Sequence, residues 1–473
     1  MRAKIRYRWV PVIAAILAGS AVAAPAQSTM DIDYLGALRQ ARGVAGSVRG
    51  AELDAQAKEL QANALRRIDG PDLQLTGFAG RLATTFNFDT SAVAQAANPL
   101  IGGLDAATPN LRLPAIPNVV SANRTFNLSS LGLTSIWPLY TGGKLQAVKG
   151  LVAARAQEAR AELRSAEDQI STQIAQRYFT LQLARQAFQL RSAAVEVITD
   201  HQHMAAKMER IGLISRADHL KADVALDNAK REAEKSRSDA EIAQVALTRL
   251  LAAPQPVQPI TPLFVSSATV GPLQDFIDAA MRNNAAWDKI ASKRSQAVES
   301  ARLAGSEHSP TIFAVGNYNG NRSDDHLVQP NWFVGLTLAI PIVGRLDHAQ
   351  MNEAARLEQQ RVEVAAEQAK RDIPTLVESQ WRAVEDARIR FLSMQSAIDL
   401  AEETLRLARI SFREGQATTM DVSDASVNLT KARVERVQAA YEYVMALARL
   451  LESCGQPARL QDYAKAADHI IPL

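Results

Sequence analysis

The sequence predicts a mainly α-helical protein written twice in tandem, with two long antiparallel helical hairpins and a pair of β-strands in each copy. Three observations carry this. Shifted by 203 residues, the chain places Pro138 on Pro341 and Arg210-x-Gly212-x-x-Ser215-x-x-Asp218 on Arg413-x-Gly415-x-x-Thr418-x-x-Asp421. The same shift lays Ile174, Leu181, Phe188 and Val195 on Val377, Val384, Phe391 and Ile398, an apolar series of strict seven-residue period that suits helices wound on one another. Outside the helices, Trp332, Val334, Leu336, Leu338 and Ile340 alternate with Phe333, Gly335, Thr337 and Ala339, the period of a strand.

In chain order, residues 27–253 form the first repeat, with a helix, a strand pair joined by a long loop, and a helical hairpin. Residues 254–272 are a linker, 273–455 the second repeat and 456–473 a tail. First-copy strands are expected at Asp72 to Gly80 and Phe126 to Ile136, and second-copy strands at Thr311 to Tyr318 and Trp332 to Ile340. At about 9 to 11 residues each has the length of a tilted transmembrane strand, and a soluble sheet is the alternative. Four strands cannot close a barrel of eight or more, so the membrane alternative requires oligomers. The stretch Leu82 to Asn123, rich in Asn, Pro, Gly and Ser, is expected to be a loop without elements.

Long helices follow. From Gln146 to Arg210 there is no proline, and a helix there would run about 100 Å. Its counterpart, Leu346 to Glu414, contains Pro374, where a kink or an opened turn is expected. Gly212 and Gly415 suit the left-handed residue that ends a helix, and Ser215 and Thr418 suit the N-cap of the next. The returning helices should cover about Arg216 to Ala252 and Met420 to Cys454.

Composition narrows the classes. Arg2, Lys4, Arg6 and Arg8 precede an apolar run from Trp9 to Ala18 that is too short to span a bilayer, and Ala21-Val22-Ala23 and Ala24-Pro25-Ala26 both fit signal cleavage. Residues 1–26 are therefore expected to be an export signal. Without those four cations the chain holds 49 basic against 50 acidic residues, no excess to attract nucleic acid. A single cysteine, Cys454, excludes a disulfide framework and a cysteine-rich zinc site. Lys144 after two glycines lacks the remainder of a phosphate loop. His201 and His203 stand two apart on a helix and face different ways. Asp324-Asp325-His326 sits in a polar loop and reads as solvated. No catalytic motif, cofactor or metal site is expected, and the chain is not read as an enzyme.

Taken together, Trp137-Pro138-Leu139-Tyr140-x-Gly142-Gly143-Lys144, its shortened echo Ile340-Pro341-Ile342-Val343-Gly344-Arg345 and the two hairpin turns resemble the TolC-like outer membrane efflux proteins, across nearly the whole chain after the export signal. The resemblance implies a homotrimer in the outer membrane, four strands per protomer forming a twelve-stranded β-barrel continued by a long α-helical coiled-coil barrel through the periplasm. It implies a passive exit duct that docks to a periplasmic adaptor and an inner-membrane transporter. Carried over, Arg210, Gly212, Leu213 and Ser215 with Arg413, Gly415 and Thr418 would form the adaptor-docking tips, Gln416 standing where the first turn has Leu213. Asp421 and Asp424 would ring the periplasmic gate. They lie three apart on one helix face, and threefold symmetry would set six carboxylates about an axis, raising one another's pKa. The alternative is a secreted or periplasmic trimeric coiled-coil structural protein with no channel.

Overall fold

The computed structural model describes residues 29–107, 113–320, 331–342 and 347–472. The export signal, Asp324, Asp325, His326 and the Val343-Gly344-Arg345 echo lie outside the described residues. Elements follow as β1 (Met30–Ile32), α1 (Tyr34–Val44), α2 (Gly46–Ala64), β2 (Asp72–Asp89), α3 (Ser91–Ala107), β3 (Val119–Tyr140), α4 (Lys144–Arg210) and α5 (Arg216–Leu250). Then come β4 (Val257–Pro259), β5 (Leu263–Val265), α6 (Leu273–Asn283), α7 (Ala285–Ser306), β6 (Thr311–Asn319), β7 (Trp332–Ala339), α8 (His348–Arg413), α9 (Thr419–Ser453), α10 (Leu460–Ala466) and β8 (His469–Ile471). Helices α5 and α9 begin and end at positions 203 apart, the offset of the sequence repeat. Helix α8 continues unbroken through Pro374, so the opened turn expected there is absent.

Two compact units divide the described residues, and each takes residues from both copies: one comprises residues 29–49, 166–283 and 373–472, the other the described residues within 50–165 and 284–372. In the first unit the second-copy heptad is buried throughout, at Val377, Val384, Phe391, Ile398, Leu405 and Phe412. The first-copy series behaves differently. Ile174 and Leu181 are buried, Phe188 and Val195 only partly so, and the seam passes to Ala194, Ile198, His201, Ala205 and Met208. Spacings of four and three keep the heptad while moving its register, because small Ala194 and Ala205 allow close approach.

Short elements clamp this unit. β1 pairs in parallel with β4, and β5 pairs antiparallel with β8, so the expected linker and tail both supply strands. The Tyr178 hydroxyl donates to the Ile32 carbonyl at 2.9 Å and accepts from the Thr261 amide at 2.7 Å, while Gln182 donates to the carbonyls of Pro259 and Thr261. Around them Tyr34, Tyr178, Phe179, Phe264 and Tyr443 form a chain of ring contacts 5.1 to 6.3 Å between centroids.

The second unit holds an antiparallel sheet of order β2-β3-β6-β7. Pro138 sits beside a bulge in β3, the position in a ladder where the missing amide is tolerated. Gly142, with φ +60°, lies so close to Ser309 that any side chain would collide with it, which explains the glycine in the strand-to-helix turn. The expected featureless loop from Leu82 to Asn123 is corrected here. β2 continues to Asp89, α3 occupies Ser91–Ala107 and β3 starts at Val119. Thr84, Thr85, Phe86 and Phe88 are strand formers, and the Ala-rich run after Ser91 favours helix; reading the segment by its Asn, Pro and Gly content overlooked both.

Candidate functional site

Both hairpin turns close in the same way. In the first, the Gly212 amide donates to the Glu209 carbonyl at 2.9 Å and Leu213 to Met208 at 2.9 Å. In the second, Gly415 donates to Phe412 at 3.1 Å and Gln416 to Ser411 at 2.8 Å. These six-to-one and five-to-two bonds are a Schellman closure, and they need the left-handed backbone that Gly212 (φ +78°) and Gly415 (φ +72°) adopt. The next helix is capped at once: the Ser215 hydroxyl accepts from the Asp218 amide, and the Thr418 hydroxyl from the Asp421 amide. Apolar side chains are left in solvent. Ile211 is 70% and Leu213 65% exposed, with Arg210, Arg413, Gln416 and Thr418 exposed beside them.

Asp421 and Asp424 are both exposed in the first turns of α9, but their surroundings differ. The Asp421 carboxylate accepts from the Thr418 amide at 2.7 Å and from the Thr418 hydroxyl at 2.8 Å, a complete capping box. Those bonds hold it below the usual carboxylate range within the single protomer. Asp424 instead lines a groove of about 500 Å³ with Lys221 and Val224 of α5 and Met420, Val427 and Lys431 of α9. In the first copy Lys221 takes the place equivalent to Asp424 and donates to Asp218 at 2.9 Å.

Two features near the turns escaped sequence reasoning. At the first turn His219 joins Glu209 and stands 3.6 Å from Asp223, and Gln202 donates to Asp223 at 2.8 Å, tying the end of α4 to the start of α5. The hydrogen bond from His219 is the main reason Glu209 is held below its ordinary value. The spacing of 219 and 223 signalled a helix pair; Glu209 lies across the turn and carried no local signal.

The second feature is His201 of the first hairpin. Its Nε2 is 3.1 Å from the Thr419 carbonyl at the start of α9, and its ring meets Phe412 edge to face at 4.7 Å. His203, by contrast, is exposed, so the two histidines do face apart. Burial lowers the His201 pKa, with Arg409 acting in the same direction and the Thr419 bond opposing. A folded pKa below the unfolded ~6.5 means that its contribution is complete above that pH and is withdrawn as pH falls through the folded value. Hydrogen exchange in the first turn of α9, corrected for intrinsic rates, should therefore be faster at about pH 5 than at about pH 7.5. The difference should shrink in His201→Gln.

In the sheet, register gathers one apolar face. Leu73 and Leu75 of β2, Leu133 and Trp137 of β3, Tyr318 of β6 and Trp332, Val334, Leu336 and Leu338 of β7 share it, and all are exposed. The opposite face is mixed, with Gln74, Thr76, Thr134 and Asn317 beside Phe313 and Val315; Asn317 donates to Thr134 at 3.0 Å. Among the described residues β2 and β7 each have one unpaired edge. Among the described residues no helix is long and apolar enough to cross a membrane, and no group of three or more His, Cys, Asp and Glu is placed to hold a metal ion.

An exposed apolar sheet face bounded by two open edges is the surface of a barrel fragment rather than of a closed soluble sheet. The sequence profile described as outer membrane efflux protein matches residues 37–253 and 276–456. The chain belongs to the outer membrane efflux protein family. Cobalt-zinc-cadmium resistance protein CzcC of Cupriavidus metallidurans is 23% identical to this efflux protein over 355 residues, 75% of this chain and 83% of the relative. The crystal structure of CusC, described with conformational changes accompanying folding and transmembrane channel formation, superposes with a TM-score of 0.71 at 16% identity, covering 90% of this chain and 93% of that one. The open state of the Neisseria gonorrhoeae MtrE outer membrane channel gives 0.68 at 17% identity over 90% and 89%. This efflux protein therefore has the TolC-like fold and resides in the outer membrane with a large periplasmic portion. Its open four-stranded sheet fits one third of the family's trimeric barrel.

Proposed function

We propose that this protein is the passive exit duct of a tripartite efflux or type I secretion assembly, a homotrimer that meets a periplasmic adaptor and, through it, an inner-membrane transporter. The observation that carries the reading is the pair of matched, rigidly closed turns. Each ends a helical hairpin, and the first leaves the apolar side chains of Ile211 and Leu213 exposed to water. Arg210, Gly212, Leu213 and Ser215 form the stronger docking surface, and Arg413, Gly415 and Thr418 the second. Asp421 and Asp424 form the periplasmic gate. Asp421 sets the backbone of the turn through its cap, and Asp424, one turn on, supplies an exposed charge that takes no part in the cap.

The apolar sheet face favours this reading over a structural coiled coil, since a sheet that only held a trimer together in water would expose polar side chains. The reading leaves the cargo open, because a passive duct admits whatever the transporter delivers. A photoreactive residue at Leu213 should form adducts with a periplasmic adaptor in living cells, whereas one at Leu400, exposed on α8 away from the turns, should not. Efficient export with no adduct from Leu213 would remove the docking assignment.

A further inference from the structure

The first strand pair is far longer than the second. β2 and β3 pair from Asp72↔Ile136 to Asp89↔Val119, whereas β6 joins β3 only from Tyr140 back to Gly132. From Gly77↔Leu131 onward the ladder has thirteen further pairs, about 43 Å of two-stranded ribbon. It projects from the end of the sheet opposite the helices, since α2 leads into β2 and β3 leads into α4 at the other end. In a protein whose helical part is periplasmic, that end is outside the cell.

Along this ribbon the apolar face changes sides. In the part shared with β6, the exposed leucines lie on the face of Leu73, Leu75 and Leu133. Further out that same face becomes polar: Thr85 donates to Asn123 at 2.7 Å and Ser121 to Asn87 at 2.8 Å. The apolar pairs Phe86↔Ala122 and Phe88↔Val120 now occupy the other face, which lower down is the mixed face of Gln74, Thr76 and Thr134. Phe88 is 59% exposed.

Helix α3 follows β2 at the far end of the ribbon, and it and Thr90 before it are fastened to the segment that leads into β3. Asn98 donates to the Ile116 carbonyl at 2.9 Å and accepts from the Ile116 amide at 2.8 Å, and Thr90 donates to Pro117 at 2.6 Å. Asp105 is its only charged residue. Val93, Leu100 and Leu104 lie at helical spacing and are exposed, Leu100 at 70%. Isolated two-stranded ribbons are marginal in water, and a helix with a single charged residue and with Val93 and Leu100 exposed one heptad apart is the kind of surface that finds a partner.

We propose that the partner is the same segment of the two neighbouring protomers, so that three ribbons and three α3 helices meet in an apolar cap over the outer mouth of the duct. The trimeric reading is the foundation of this inference. Three features select a second copy as the occupant. The free edge of β2 continues outward from the edge that pairs between protomers in a trimeric barrel. Exposed Phe88 lies on the face of the ladder opposite the outward leucines, the inner side if three sheets close into a barrel. Lipid is disfavoured, because α3 sits about 40 Å of ladder beyond the last row shared with β6, more than an outer leaflet covers.

Single-cysteine variants test this directly, because the native Cys454 is buried and its thiol is pushed up to about 11, which keeps it out of the reaction. In oxidised intact cells, Leu100→Cys and Phe88→Cys should yield disulfide-linked dimers from each trimer, and Asn87→Cys, on the polar face, should yield none. Leu100→Cys that stays unlinked and is modified by a water-soluble maleimide would overturn the cap, as would Leu100→Cys shielded from the maleimide but quenched by a lipid-phase nitroxide. Sedimentation of the detergent-purified protein is run alongside. A monomer there would mean that the trimeric duct itself has failed, whereas a trimer without cross-links refutes only the cap.

Discussion

Leu213→Asp should abolish export while leaving normal amounts of trimer in the outer membrane. The side chain is 65% exposed and the closure of the turn uses only the Leu213 amide, so the substitution should change folding stability by no more than about 0.5 kcal/mol. At a docking surface the same change replaces an apolar anchor with a charge that must be desolvated. Losing one such anchor costs about 2 kcal/mol or more, roughly thirtyfold in affinity. Gly212→Asp is a companion test. No atom lies within 4 Å of a side chain at that position, so the variant bears only the left-handed backbone penalty of about 1 to 2 kcal/mol. It should lose export equally, with a slightly reduced trimer yield. Export assays beside trimer quantification check both, and full export by Leu213→Asp would contradict docking through the first turn.

The hairpins were legible in the sequence because their signals are local. Gly212, Ser215, Gly415 and Thr418 fix caps within six residues, and the helix ends follow from them. Strand existence was also legible from the alternation at Trp332 to Ile340, whereas the apolar face across four strands was not. It depends on the register of β3 against β6, which sets Leu133 opposite Tyr318 and Trp137 opposite Ala314 and which no pattern in the sequence announces. The outer ribbon was missed because its turn-rich composition outweighed the alternation of Thr84, Phe86 and Phe88. His201 illustrates the other limit. Its partners Thr419 and Phe412 are more than two hundred residues away and come together only when the two hairpins pack.

The two aspartates should separate in function. Asp421→Asn keeps an acceptor for the Thr418 amide but removes the charge, weakening the cap by about 1 kcal/mol or less. Asp421→Ala loses the cap and should loosen the turn as well. Asp424 makes no capping bond, so Asp424→Asn should leave the turn intact while removing three charges from a threefold entrance. Block by a divalent cation on the helical side should then weaken by an order of magnitude or more in Asp424→Asn. Asp421→Ala should combine weaker block with noisier, larger openings. The acid side follows from the same bonds. The cap holds Asp421 below its unfolded value, so its contribution is complete above about pH 4 and is lost as pH falls through the folded pKa.

Single-channel conductance of the detergent-purified trimer in a planar bilayer tests the duct most directly. The wild type should show a small, defined conductance that needs no energy source and is blocked by a divalent cation added on the helical side, with Asp424→Asn relieving the block. Correctly folded trimers that carry no current under any of these conditions would contradict the duct and leave the structural coiled coil in its place.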